Sequence, residues 1–572
     1  MSLVRLAPRR AGLTLAVAGA LACSETPRDG VGRDSPADLV LRNGAVYTVD
    51  AARSWARTVG VRGGRIVHVG GDSLPTGLVG PETEVVDLGG GMLLPGFQDG
   101  HVHLLLGGVE LGECTLFTLA TAAAVLDSIA ACAAARPGGW LRGAGWELTV
   151  FPEANPSSAM LDRIAPERPA LFEAADGHSA WANSRALELA GVTRDTPDPT
   201  NGRIERDPRT GEPSGTLRET AVGLVSRLLP ERSDSELEAG LDRALPLAAE
   251  RGITAIMEAA ASERLLRAYA AADRGGRLTL RVVAAADAEP DSTGVQGVVR
   301  RLGEWRARYA TARVMPAAAK LFEDGVIEAG TAALLAPYLD RKGDAGKPIY
   351  PQPVLDSLAR ALDRDGWQVH VHAIGDRAIR MTLNAFEHAR SVNGARDARH
   401  TITHLQLIDP ADLPRFRRLG VIANFEPFWA NGDEYLTRLA EPSLGPARSR
   451  WLYPVRSVME TGAVVSGGSD WSVSSLAPLD AIEVAVTRRP PGDRRAPWRA
   501  EEVVDLPTAI AMYTMNAAYQ NHLERETGSI EVGKLADLVV LERNLFDVPH
   551  GDVHTVRVMR TFLEGRTVFR RR

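Results

Sequence analysis

Two histidines placed two residues apart stand in the segment Pro95-Gly-Phe-Gln-Asp-Gly-His-Val-His103. On an extended strand, residues two apart point to one face, so His101 and His103 present both imidazoles on the same side. Neutral imidazole is a good ligand for zinc, and two of them supply half of a tetrahedral shell. Among twelve histidines one such pair can arise by chance, and His370-Val371-His372 is a second instance. What sets the first pair apart is its company downstream. Lys320 opens Lys-Leu-Phe-Glu-Asp-Gly325, His372 opens His-Ala-Ile-Gly-Asp-Arg377, His404 stands in Thr403-His404-Leu405-Gln406-Leu407, and Asp470 closes Ser-Gly-Gly-Ser-Asp470. Each lies at or just beyond a short apolar run that reads as a strand. Groups contributed by the ends of several strands are what the rim of an α/β barrel looks like in one dimension. His370 faces the same way as His372 along its strand and reads as packing one layer deeper.

The elements that must hold these residues follow from apolar patterning. Ala170-Leu-Phe172, Ile253-Thr-Ala-Ile-Met257, Ala317-Ala-Ala-Lys320, Val369-His-Val-His372 and Val464-Val-Ser466 alternate with stretches rich in Ala, Leu, Arg and Glu. Strands alternating with helices imply a parallel sheet, and about eight such units imply a (β/α)8 TIM-like barrel. It is expected over residues 95–521, with an insertion at about 135–235 where Pro and Gly are dense. Both ends of the chain are strand-rich instead. Asn43-Gly44 and Gly63-Gly64 are flanked by short apolar runs and read as hairpin turns, Thr83–Val86 as a further strand, and Ala536–Leu541 and Val556–Phe569 as a strand and a hairpin. Residues 37–94 and 522–572 are therefore expected to build one small β-sandwich domain from the two chain ends.

Ahead of the folded body, Arg5, Arg9 and Arg10 precede an apolar run from Ala11 to Ala22 that is too short for a membrane span and reads as an export signal over residues 1–23. Ala20-Leu-Ala-Cys23-Ser24 resembles a bacterial lipobox, which makes Cys23 the candidate for lipidation. Residues 24–36 read as a flexible linker. The expected location is periplasmic or attached to an outer membrane, with membrane contact through the lipid anchor alone. Beyond Cys23, Cys114 and Cys132 are too few for a disulfide framework. The net charge of -6 over 572 residues, from 66 basic and 72 acidic groups, offers no basic face for nucleic acid. The expected partner is a small molecule.

The ordered set of motifs resembles the amidohydrolase superfamily and, within it, the amidohydrolase-3 group of YtcJ-like proteins and N-substituted formamide deformylases. The likeness runs from about Ala37 to Phe569. Besides the segments above it takes in Gly143-Ala-Gly-Trp-Glu147, Leu161–Pro169, Asp176-Gly-His-Ser-Ala-Trp-Ala-Asn-Ser184, Gly211–Leu217 and Gly528–Asp537. Glu147 departs from the family pattern, where Asp is commoner. The resemblance implies that His101 and His103 bind the more buried of one or two divalent metal ions, zinc foremost, and that His372 and His404 bind the more exposed one. It implies that Lys320, carboxylated on its amine by carbon dioxide, bridges them. Asp470 would touch both the metal and the attacking water, and His178 would bind the substrate oxygen. A free lysine ammonium has no lone pair, so Lys320 can act as a ligand only after deprotonation or carboxylation.

The chemistry implied is hydrolysis of a non-peptide C–N bond by metal-activated water, with Asp470 moving the proton from water to the departing amine. Trp146, Phe151, Trp181, Phe428 and Trp471 read as the wall around an apolar or aromatic substrate group. The same parts would also open a lactone, ester or phosphoester. A third reading is a metal-binding envelope regulator without turnover, and the presence of every ligand position argues against it.

Overall fold

The structure is a computed structural model describing residues 35–572. The export-signal segment 1–23 with Cys23, and the linker as far as residue 34, lie outside the described residues.

Eight parallel strands form one sheet in strict chain order: Phe97–Val102, Ile253–Ala261, Arg281–Asp287, Val314–Phe322, Gln368–Ala373, Thr401–His404, Ile422–Phe425 and Val465–Gly467. These are the eight strands of a (β/α)8 barrel. They are covered on both faces and so read as near-continuous apolar runs with little alternation. Helices pack outside them with one apolar stripe each. In Gln352–Arg364 the buried Leu355, Leu358, Ala359 and Leu362 fall at the three- and four-residue spacing that puts them on one face. Each fully buried leucine of this kind contributes about 2 kcal/mol. The eighth and first strands meet through the loop that follows the eighth. Ser469 and Asp470 donate their backbone N–H groups to the His101 carbonyl at 3.2 and 2.8 Å, and His103 donates to the Trp471 carbonyl at 2.9 Å. The seam of the barrel is thus made by the residues expected to bind metal.

Between the first and second barrel strands the chain builds a separate six-stranded sheet. Its spatial order is Gly202–Arg206, Pro213–Glu219, Ser179–Ala182, Ala170–Ala174, Leu141–Trp146 and Cys114–Thr115. Ala170–Phe172, expected among the barrel strands, belongs here. The insertion also starts earlier than residue 135, because Cys114–Thr115 and helix Ala122–Ala135 are part of it. Pro and Gly density marks its turns, whereas an alanine-rich helix carries no such signal. Cys114 and Cys132 are joined in a disulfide with a Cα–Cα distance of 5.9 Å, tying that edge strand to that helix.

The two chain ends form a β-sandwich. A four-stranded sheet holds Arg65–Gly70, Thr58–Arg62, Leu39–Arg42 and Glu84–Asp87. A six-stranded sheet holds Arg566–Arg570, Val558–Leu563, Leu538–Leu541, Met92–Pro95, Ala45–Tyr47 and Trp55–Ala56. Leu538 pairs with Pro95 and Leu541 with Met92 across the two termini. Leu41, Val59 and Val61 of one sheet pack with Val46, Leu538 and Phe562 of the other. The Gly63-Gly64 hairpin forms, but Asn43-Gly44 is not a hairpin turn: Leu39–Arg42 lies in one sheet and Ala45–Tyr47 in the other. A two-residue turn of the Asn-Gly type needs positive φ at both positions. Only Asn43 adopts it (φ 58°), so the chain crosses between sheets instead of folding back.

Candidate metal centre and active-site cavity

At the barrel mouth, His101 is the last residue but one of the first strand and His103 directly follows that strand, Lys320 lies on the fourth, His372 on the fifth, His404 ends the sixth and Asp470 follows the eighth. Among the described residues, His101, His404 and Asp470 each offer a ligand atom within 4.8 Å of the others. Lys320 Nζ lies 3.3 Å from His101 Nε2. Asp470 Oδ1 is 3.5 Å from His101 Nε2 and 3.3 Å from His103 Nε2, yet neither contact is aligned as a hydrogen bond, so this buried oxygen is left unsatisfied. His372 stacks against His404 with ring centroids 4.5 Å apart, while its Nε2 faces the Gly325 carbonyl at 3.4 Å. Two of these residues have left-handed backbone, His404 at φ 77° and Asp470 at φ 50°. Such conformations cost about 1–3 kcal/mol each and persist where the surroundings over-determine them.

Neighbouring groups set which nitrogen of each ring is free. The His404 Nδ1–H donates to Glu426 Oε2 at 3.0 Å, leaving Nε2 bare towards the centre. Glu426 follows the seventh strand and also accepts from Thr403 Oγ1 at 3.1 Å. His101 Nδ1 lies 2.7 Å from His370 Nε2. With Nδ1 the donor, His101 keeps a lone pair on the Nε2 that faces Lys320 and Asp470. His370 is fully buried beneath the centre, in the deeper layer expected for it, and acts on His101 through this bond. Asp324 holds the loop after the fifth strand by accepting from the N–H groups of Ile374 and Gly375 at 2.9 Å each.

The electrostatics suit a cation. Burial disfavours charge on His101, and Lys320 and the other histidines push its pKa further down, so it is a neutral ring with a lone pair. Burial also pulls the Lys320 ammonium down to about 8, against the pull of Asp470 and Glu426. Asp470 goes the other way. Burial opposes its ionisation, but contact with His103 and the charges of His404, His103 and Lys320 outweigh it and hold the carboxyl below its ordinary value. Bare imidazole nitrogens, a carboxylate with an unsatisfied oxygen and a buried lysine whose ammonium is disfavoured form a donor set that fits a divalent metal.

The insertion supplies the facing wall. His178 precedes strand Ser179–Ala182 and Glu219 ends the neighbouring strand, whose N–H donates to the His178 carbonyl at 2.8 Å. The His178 Nδ1–H donates to Glu219 Oε2 at 2.9 Å, and Glu219 Oε1 accepts from Thr331 Oγ1 at 2.6 Å. Burial works against an imidazolium at His178, but Glu219 outweighs it and, with Asp176 and Asp470, pushes the pKa up to about 9. The His178 ring lies 4.9 Å from that of His372.

Beside this rim lies a cavity of about 530 Å³, reaching it through Trp429, stacked on His404, and Trp471, next to Asp470, and lined further by Phe428, Tyr435 and Tyr453. The close approach of Trp471 requires Gly107, where a Cβ would meet the indole at 2.5 Å. Trp146 and Trp181, expected along this wall, lie elsewhere. Both are fully buried in the core of the insertion with Phe151, and their indole N–H groups donate to the carbonyls of Phe172 and Ser157. Their motif positions serve the fold of the insertion, and neither lines the cavity. Glu147, next to Trp146, does line the cavity and accepts from Tyr435 O–H at 2.7 Å.

Trp429, in a motif segment whose tryptophans the sequence marks as pocket lining, does line the cavity and stacks on His404 at 5.4 Å, whereas Glu219 and Glu426 were not singled out by the sequence. A carboxylate directly after the run Ile422–Phe425 was a signal available for Glu426. Nothing in the sequence joins Glu219 to His178, forty-one residues apart.

A model of the amidohydrolase family matches residues 84–569. The chain belongs to the amidohydrolase family. It is 31% identical to Protein LONG AFTER FAR-RED 3 of Arabidopsis thaliana, over 93% of this chain and 92% of the relative. It is 30% identical to an N-substituted formamide deformylase of Arthrobacter pascens, over 92% and 97%. An uncharacterized metal-dependent hydrolase from Pyrococcus horikoshii shares the fold with a TM-score of 0.71 at 23% identity, covering 90% of this chain and 99% of that one.

Proposed function

We propose that this amidohydrolase hydrolyses the C–N bond of a small N-formyl or N-acyl amine. The observation that carries the reading is the unsatisfied, buried Asp470 oxygen set between His101 and His103, next in the chain to the cavity-lining Trp471. The 30% identity to an N-substituted formamide deformylase supports the choice of bond.

His101, His103, His372, His404 and Asp470 would hold one or two divalent ions, zinc foremost. A carbamate formed on Lys320 by carbon dioxide would add an anionic ligand. A metal held there supplies a Lewis acid that polarises a carbonyl and brings the pKa of water to about 7. Asp470, kept ionised, takes a proton from the attacking water and returns it to the departing nitrogen, which is a poor leaving group until protonated. His178, kept protonated by Glu219, donates to the carbonyl oxygen as negative charge builds there. Phe428, Trp429 and Trp471 hold the apolar part of the substrate and exclude water. Export is proposed too, supported by the leader before Cys23 and by the Cys114–Cys132 disulfide, which persists in oxidising compartments.

The test is a screen of metal-loaded protein against N-formyl and N-acyl amines beside lactones, esters and phosphotriesters. Amide turnover should disappear on chelation, return with zinc, and fall by about 10²–10⁴-fold in Asp470→Asn. Cleavage of esters without any amide would overturn the substrate reading, and full turnover in Asp470→Asn the proton-transfer role.

A further inference from the structure

The same cavity has an acidic side. Glu147, Asp176, Glu328 and Asp433 all line it, and among the described residues none of the four forms an ion pair, although the charge of Arg495 reaches Asp433 and that of Asp176 reaches His178. Their partners are neutral: Tyr435 O–H for Glu147 at 2.7 Å, Gln406 Nε2 for Glu328 at 2.6 Å, the Leu436 N–H for Asp433 at 3.2 Å, and the N–H groups of His178 and Ser179 for Asp176 at 3.0 Å each. The lining residue Arg251 is exposed and borders a second cleft beside Asp480. The four carboxyls act on one another. Burial, then Asp433 and Asp176, push Glu328 up to about 7, and the same three influences raise Glu147.

Tyr453 gives an independent sign of a ligand. It is only 3% exposed and lines the cavity, yet its hydroxyl has no hydrogen-bond partner among the described residues. Burial and the carboxylates of Glu328, Glu426 and Asp433 raise its pKa against the pull of Arg488, and Tyr453 lines the same cavity as Glu328 and Asp433. Trp429 and Tyr435 add aromatic faces, whose quadrupoles attract cations.

We propose, resting on the C–N hydrolase reading above, that the substrate carries a cationic group, an ammonium apart from the scissile bond, seated against Glu328, Asp433 and Asp176 and the rings of Trp429 and Tyr435. A neutral substrate filling this space would strip water from several carboxylates and return nothing to them, which is unfavourable. A cation takes the place of that water and of the missing basic side chains, and Tyr453 accepts a hydrogen bond from an N–H of the ammonium.

The test compares binding of phenyltrimethylammonium with that of its neutral isostere tert-butylbenzene to the metal-loaded full chain, read by quenching of tryptophan fluorescence. The cation has no acyl group and no lone pair for a metal. It should bind at least tenfold more tightly than the isostere, and the gap should shrink below threefold in the double variant Glu328→Gln, Asp433→Asn, whose folding is checked by near-ultraviolet circular dichroism. Equal or tighter binding of the neutral compound to the unmutated protein would overturn the proposal, whatever the double variant does. The probe is not hydrolysed, so cation preference without amide turnover removes the hydrolase reading alone. Turnover of neutral N-acyl amines without cation preference removes this proposal alone.

Discussion

Glu219 holds the Nδ1 of His178 at 2.9 Å, leaving its other ring nitrogen free, and Glu219 is itself fixed by Thr331, while the His178 ring lies 4.9 Å from that of His372. A donor to a developing oxyanion stabilises the transition state when it is preorganised, and loss of one such donor costs about 10²–10³ in kcat. Glu219→Gln keeps the shape but weakens the hold on the imidazolium. Its kcat should fall by about tenfold or more while KM changes little, and Glu219→Asp should recover part of the loss. Steady-state kinetics on the best amide from the screen decides this, and an unchanged kcat in Glu219→Gln would remove the role.

Between elements, polar pins fix how the barrel helices meet the strands. Asp363, at the end of helix Gln352–Arg364, accepts from His400 Nε2 at 3.2 Å, Asn393 Nδ2 at 2.7 Å and Arg396 Nε at 2.6 Å. His400 in turn accepts the Val369 N–H at 3.0 Å, so one carboxylate joins two helices to the fifth and sixth strands. Burial resists ionisation of Asp363, but these donors outweigh it and hold its pKa well below the carboxylate range. A depressed pKa gives stability that is complete above the unfolded value of about 4 and is lost as pH falls through the folded value. Asp363→Asn should therefore lower stability by about 2 kcal/mol at pH 7, and the gap to the parent should narrow as pH drops below about 4. Urea unfolding at both pH values measures it. In the insertion, the disulfide closes a loop of sequence separation 18. Loops of that size give about 3 kcal/mol, so reduction, or Cys132→Ser, should lower the unfolding temperature of the insertion in calorimetry and leave the barrel transition in place.

At the scale of the whole molecule, the sandwich made by the two chain ends is fastened to the bottom of the barrel. Arg281, at the start of the third barrel strand, donates to Asp537 at 2.9 Å and to Glu564 at 2.9 Å, and Arg313 reaches the other Glu564 oxygen at 2.9 Å. Asp537 is buried, so removing the arginine leaves an uncompensated charge, a change that costs about 3–5 kcal/mol. Arg281→Met should show that loss in chemical denaturation, with metal content of the folded protein unchanged because the centre lies at the opposite end of the strand. Loss of metal without loss of stability would contradict this division of labour.

Local patterning was enough to specify the barrel, the sandwich built from both termini and the order of His101, His103, Lys320, His372, His404 and Asp470 along the rim. Each of those rests on local grammar: a two-residue period, a strand followed by a helix, a polar residue at a strand end. Matters of distance between segments far apart in the chain were left to the folded molecule. Trp146 and Trp181 sit in motif positions but pack into the insertion's own core, since a strand pattern does not say which sheet it joins. Ala170–Phe172 went to that sheet for the same reason, and Asn43-Gly44 became a crossing because sheet membership, and not turn composition, governs where its flanking strands pair. Glu219 beneath His178 and the acidic side of the cavity exist only once the insertion is folded against the barrel mouth, and Glu426 behind His404 only once the sixth and seventh strands lie side by side. Charge and hydrogen bonding act over a few ångströms of space, which sequence separation does not measure.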